Sequence, residues 1–167
     1  ETLEAWARPS LVLSLAGLAF LLVTGLGILL LPFSTGTQLL VLAHTLGGVL
    51  VLLPLGAFLV RHLARHGAAR LSHLMLLGWA SGLLTVAAMV TGIVVTAQAL
   101  WGTYLSPGWD LWHTVAGCAA LPILAAHLVT AIRKRPGERR FATVRLVGSL
   151  AVGGALSCVC WWGGEAL

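Results

Sequence analysis

Charge is what this 167-residue chain has least of. Ten Lys and Arg and five Asp and Glu make up 9% of it, where a soluble globular domain carries about 25%. That scarcity excludes an ordinary cytoplasmic enzyme and a basic nucleic-acid binder. A hydrophobic content of 59% excludes a disordered tail, which needs low hydrophobicity. Cysteine is scarce too. Cys118, Cys158 and Cys160 form no CxxC pair for zinc or thiol exchange and no CxxCH for covalent haem attachment. Also missing is the alternation over about ten residues that a lipid-facing β-strand needs.

What the chain has is apolar length, with a mean hydropathy of +0.98. Five apolar runs are visible. They cover Ser10 to Leu31, Thr37 to Val60, Leu74 to Leu100, Leu111 to Ile132, and Leu146 to Trp162. The first four each hold more than about 20 residues without a formal charge, enough to span a bilayer as a helix; the fifth is shorter but adequate. Turn formers separate them, at Pro32-Phe33-Ser34-Thr35-Gly36, Ser106-Pro107-Gly108 and Pro136-Gly137. The reading is all-α: an integral membrane bundle of five transmembrane helices forming one membrane domain over 1–167. Its parts are a four-helix core over 10–133 and an extra helix over 142–163. So little chain lies outside the bilayer that any soluble chemistry is expected from a partner chain.

The ten basic residues set the orientation. Arg8 precedes the first run; Arg61, Arg65 and Arg70 follow the second; Arg133, Lys134, Arg135, Arg139, Arg140 and Arg145 follow the fourth. With five spans all three places fall on one side, which the positive-inside rule makes cytoplasmic. The expected location is the bacterial inner (cytoplasmic) membrane, multi-pass, with the N-terminus cytoplasmic and the C-terminus periplasmic. The other side carries Trp101, Tyr104, Trp109, Trp112, Trp161 and Trp162, read as an interfacial aromatic belt. Asp110 reads as the N-cap of the fourth helix.

Ionisable residues within a span point to function, and here they are histidines. His44 and His62 lie on the second helix, and His113 and His127 on the fourth. At about 100° per residue the 18 positions from His44 to His62 return to one face, and the 14 from His113 to His127 end about 40° apart. Each helix therefore offers two imidazoles on one stripe, roughly 27 Å and 21 Å apart in depth. The mismatch is about one turn, which tilt and the intervening Pro54 and Pro122 are expected to absorb. Phe58 stands where an exact 14-residue spacing would put a histidine. Two parallel helices facing each other would make two stacked imidazole pairs, each able to clamp a haem, since neutral imidazole is a good iron ligand. His44-Thr45-Leu46-Gly47-Gly48 with Leu53-Pro54 is echoed by His113-Thr114-Val115-Ala116-Gly117 with Leu121-Pro122. Gly78 and Gly92, 14 apart on the third helix, read either as flat spots for a macrocycle or as close-packing positions. His66 and His73 read as residues of a solvated basic loop, and as alternative inner ligands or quinone-site residues.

On these residues the chain resembles the di-haem cytochrome b membrane subunits. They include the four-helix core of cytochrome b and the b-type anchor subunits of respiratory formate dehydrogenase, nickel–iron hydrogenase and nitrate reductase. The resemblance covers about Ser10 to Ile132. It implies two b-type haems as cofactors, with His44 and His113 as axial iron ligands of an outer haem and His62 and His127 of an inner one. It also implies a quinone site near one haem. The function expected is an electron-transfer subunit of a quinone-linked oxidoreductase, passing electrons between quinone and a redox partner. That partner would be a multihaem cytochrome, an iron–sulfur subunit or another oxidoreductase subunit. The alternative is a cofactor-free structural or assembly anchor whose histidines only pack. A histidine-based metal transporter is a third reading; it wants carboxylates or thiols converging on the imidazoles, and the stripe holds none.

Overall fold

In the computed structural model the described residues are 9–66, 72–102, 104–134 and 136–166. Among them there are five long helices, one 3-10 turn and no strand: α1 (Pro9–Leu30), α2 (Thr35–His66), α3 (His73–Leu100), α4 (Pro107–Arg133), the turn Pro136–Glu138, and α5 (Arg139–Glu165). All five helices are long and apolar enough to cross a membrane, so the chain is an all-α, multi-pass membrane protein. Arg8, Arg70 and Arg135 lie outside the described residues.

The local chemistry explains where the helices stop and start. α1 ends at Leu30, just before Pro32, because the residue preceding a proline is pushed out of the helical region. α2 opens with a reciprocal cap: the Ser34 N–H donates to Thr37 Oγ1 (2.7 Å) and the Thr37 N–H to Ser34 Oγ (3.2 Å). Ser72 caps α3 by accepting from the Met75 N–H at 3.3 Å, and after Leu100 the C-cap Trp101 is followed by left-handed Gly102 (φ 63°). α4 begins with Pro107 at its first position. Its cap is Ser106, not Asp110; Asp110 sits inside the first turn, where a carboxylate meets the positive end of the helix dipole.

The helices outrun the apolar runs. Arg61, Arg65 and His66, expected in a loop, are the last turns of α2, and His73 is the first residue of α3. α5 starts at Arg139 rather than near Leu146. Hydropathy marks where lipid begins, whereas backbone hydrogen bonding continues past that plane while long basic side chains reach for water. Pro54 and Pro122 stay inside unbroken helices.

The packing is inside-out relative to a soluble protein. The buried apolar set is short (Leu15, Ala19, Leu40, Leu55, Ala116, Ile132 and Ala142), and Ser14, Thr24, Ser81, Thr85, Thr91, Ser149 and Ser157 are buried beside it. Large side chains such as Leu30, Leu50, Leu53 and Val159 face outward. In lipid, burying a leucine gains little, so small and hydroxylic residues bring the helix backbones together.

Contacts cluster into two compact units, one formed by residues up to 58 together with those from 140 onward, the other by Leu59–Arg139. In the first, α5 lies on α1 through Gly153, where an added Cβ would stand 2.6 Å from Ala16 O and 2.7 Å from Phe20 N. The Ser157 hydroxyl reinforces this crossing, 2.9 Å from Gly153 O and 3.3 Å from Phe20 O. The end of α5 clasps the α1–α2 turn: the Glu165 carboxylate accepts from Ser34 Oγ (2.5 Å) and from the Gly36 N–H (3.2 Å). In the second unit α3 and α4 pack against each other along their length.

Candidate metal-ligand histidines

Each of three histidines leans on a neighbouring helix through its Nδ1. His127 Nδ1 lies 3.1 Å from Leu74 O, and His113 Nδ1 lies 2.9 Å from Ala88 O, with Thr91 Oγ1 at 3.4 Å. A carbonyl oxygen only accepts, so in both cases the Nδ1–H donates. His44 Nδ1 lies 2.9 Å from Thr24 Oγ1. Thr24 is fully buried, and its hydroxyl donates to Phe20 O at 2.8 Å. With the proton so placed, the oxygen can accept from His44 Nδ1.

A glycine stands beside every one of these contacts. An added Cβ at Gly78 would be 3.0 Å from His127 Cε1, at Gly92 2.9 Å from His113 Cε1, and at Gly25 3.2 Å from His44 Cε1. The glycines on α3 therefore face imidazole edges. The accepting carbonyls lie four residues earlier, Leu74 before Gly78 and Ala88 before Gly92. In a helix the side chain of residue i lies over the preceding turn, where the carbonyl of i−4 already receives the helical N–H. That oxygen has a second lone pair, and a missing side chain at i leaves it open to a lateral donor.

The register is regular. Gly78 and Gly92 are 14 residues apart, as are Leu74 and Ala88, and as are His127 and His113. In an antiparallel pair these spacings match at both levels.

His62, near the end of α2, belongs to the same unit as His127. Their ring centroids are 6.3 Å apart with planes at 87°. With metal–imidazole bonds of about 2.0–2.1 Å on each side, two rings facing each other across one metal stand roughly 6 Å apart, close to this centroid separation. His66 is 4.9 Å from His62, tilted at 55°, and exposed, as is His73. Among the described residues no three His, Cys, Asp or Glu converge as a metal-binding group. A two-nitrogen set suits a haem iron, whose macrocycle supplies the other donors. His44 belongs to the first unit and His113 to the second.

Beside the His113 contact, a cavity of about 470 Å³ is lined by Ala87, Thr91, Ser106, Trp109, Trp112 and Ala116. The basic side chains Arg61, Arg65, Arg133 and Lys134 are exposed, as are Trp101, Tyr104, Trp112 and Trp162 of the aromatic belt. Trp161 instead packs against Gly36.

The histidine spacing is visible in the sequence, whereas the residues that hold the imidazoles are not. Thr24, Gly25 and Thr91 carried no expectation. Their signal was a repeat, Val23-Thr24-Gly25 on α1 and Val90-Thr91-Gly92 on α3, each meeting one histidine of the following helix. No family model, curated protein or solved structure matches the chain.

Proposed function

We propose that the chain is a membrane electron-transfer subunit carrying two b-type haems and passing electrons between the quinone pool and a redox partner subunit. The observation that carries this reading is the His62–His127 pair: two imidazoles at metal-sharing separation, one with its Nδ1 proton committed to a carbonyl. His62 and His127 would hold an inner haem. His44 and His113 are each docked through Nδ1 within their own unit, and each is a candidate ligand for the second haem. When bound, each haem supplies a one-electron iron couple. The protein's part is to present neutral imidazoles, hold their rings in fixed orientation, and surround them with small apolar and hydroxylic groups that exclude water; such outer hydrogen bonds raise ligand basicity.

The cavity beside His113, walled by two tryptophans and bearing the Ser106 and Thr91 hydroxyls, suits an uncharged amphiphile such as a quinone head group. The basic end would face the cytoplasm of a bacterium, by the positive-inside rule, and a partner would dock outside the bilayer.

The decisive experiment is spectral. The purified chain is expected to give a b-type α-band in its reduced-minus-oxidised spectrum and about two haems per chain by pyridine haemochrome analysis. A colourless protein would return the chain to the class of structural anchors.

A further inference from the structure

The geometry points to α3 as a positioning rail: Gly78 and Gly92 hold His127 and His113 with the proton on Nδ1 and the lone pair on Nε2, and the buried Thr24 hydroxyl does the same for His44. This rests on the electron-transfer reading for its purpose but not for its test. Free imidazole exchanges its proton between two nitrogens, and only the unprotonated one binds a metal. From an imidazole, Ala88 O and Leu74 O can receive only an N–H, at 2.9 and 3.1 Å; Ala88 O also accepts from the Thr91 hydroxyl at 3.1 Å. Each is open to a lateral donor because the residue four positions on has no side chain. An alanine at Gly92 or Gly78 would place a Cβ 2.9 or 3.0 Å from the ring's Cε1, tighter than ordinary van der Waals contact, and the ring would have to leave its carbonyl. Gly82, between them on the same helix, has nothing within 4 Å of an added Cβ. The three glycines of one helix thus divide into two that touch an imidazole and one that does not.

At Thr24 the same result is reached by a different route. The hydroxyl has one proton, and the Phe20 carbonyl at 2.8 Å takes it. The oxygen then faces His44 as an acceptor. Thr24, Gly78 and Gly92 are positioning residues in this scheme; they act on the imidazoles and not on a substrate. A metal-binding lone pair on Nε2 is then preset before any metal arrives, and no proton has to move when one does.

The test is nitrogen NMR on the full-length chain, labelled with ¹⁵N-histidine, in phosphatidylcholine nanodiscs and reduced with dithionite so that any low-spin ferrous haem is diamagnetic. Single His→Gln variants assign the signals. His113, His127 and His44 are expected to carry on Nδ1 a proton whose downfield ¹H shift reports a hydrogen bond, a shift that iron on Nε2 alone would not produce. Gly92→Ala is expected to abolish that signature at His113 alone, Gly78→Ala at His127 alone, and Gly82→Ala at neither. Thr24→Val loses it at His44, and Thr24→Ser restores it. A proton on Nε2 of His113 or His127 in the parent chain overturns the inference, with no need for any variant to fold. So does a Gly92→Ala protein whose His113 signals are unchanged. A chain without haem that still shows the Nδ1 pattern overturns the electron-transfer reading and leaves this one standing.

Discussion

In the α1–α2 hairpin, His44 leans on the hydroxyl of Thr24; in the α3–α4 hairpin, His113 leans on the carbonyl of Ala88, with the Thr91 hydroxyl further off at 3.4 Å. Both sites are built on a Val-Thr-Gly triplet, and both threonines return their proton to their own helix, to Phe20 O and to Ala87 O. The difference lies in which oxygen the imidazole reaches. A hydroxyl is an acceptor only as long as its proton is engaged elsewhere, whereas a carbonyl has no alternative. The first hairpin therefore fixes its histidine through a side chain that a point mutation can remove; the second does so through backbone, which only a change of packing can disturb.

The largest expected effect treats the hairpins as equals. Replacing any of His44, His62, His113 or His127 by Ala removes about one haem per chain by pyridine haemochrome assay, while His66→Ala and His73→Ala retain both. A ligand loss at His66 instead of His62 would redraw the inner pair. Next comes a packing test specific to the first unit. Gly153→Ala sets a Cβ against the backbone of α1, where nothing flexible can yield, and is expected to cost about 1–3 kcal/mol in detergent-titrated unfolding. The threonines separate the hairpins directly. Thr24→Val leaves a half-buried imidazole N–H without its acceptor and is expected to cost about 1 kcal/mol or more. Thr91→Val leaves the Ala88 carbonyl in place and should cost less than about 1 kcal/mol. Equal losses would mean that the two sites work alike. The smallest effect is at the clasp: Glu165→Gln weakens an interaction with the start of α2 and should lower stability by about 0.3–1 kcal/mol, less at high salt.

Much of the fold was legible because the membrane imposes it. A long run of uncharged residues has one stable conformation in lipid, so the five helices and their order followed from the five apolar runs. Their ends did not, because Arg61, Arg65, Arg139 and Arg140 are polar yet remain helical. Asp110 was misplaced for a related reason: Ser106 and Pro107 together define the helix start, and a carboxylate three residues inside satisfies the same dipole. The histidines were legible through their 14- and 18-residue spacings, which encode a helix face. Their partners were not, since Leu74 and Ala88 contribute only a carbonyl, and a carbonyl leaves no mark in the side-chain sequence. Gly78 and Gly92 stand out by their spacing but read either as clearance for a macrocycle or as close packing, because only interhelical register shows that an imidazole fills the gap. Thr24 and Thr91 were hidden in runs of apolar residues, where a threonine ordinarily means nothing more than packing.

The matched intervals on α3 and α4 bear on how this chain tolerates changes in length. Adding or deleting one residue between Gly78 and Gly92, or between His113 and His127, turns everything beyond it by about 100° and slides it by about 1.5 Å. One of the two rings would then face a covered oxygen. The connection at 101–106 carries no such constraint, since a residue gained there leaves both intervals intact. Natural insertions and deletions in this protein should accumulate at that connection and be nearly absent from the two fourteen-residue segments.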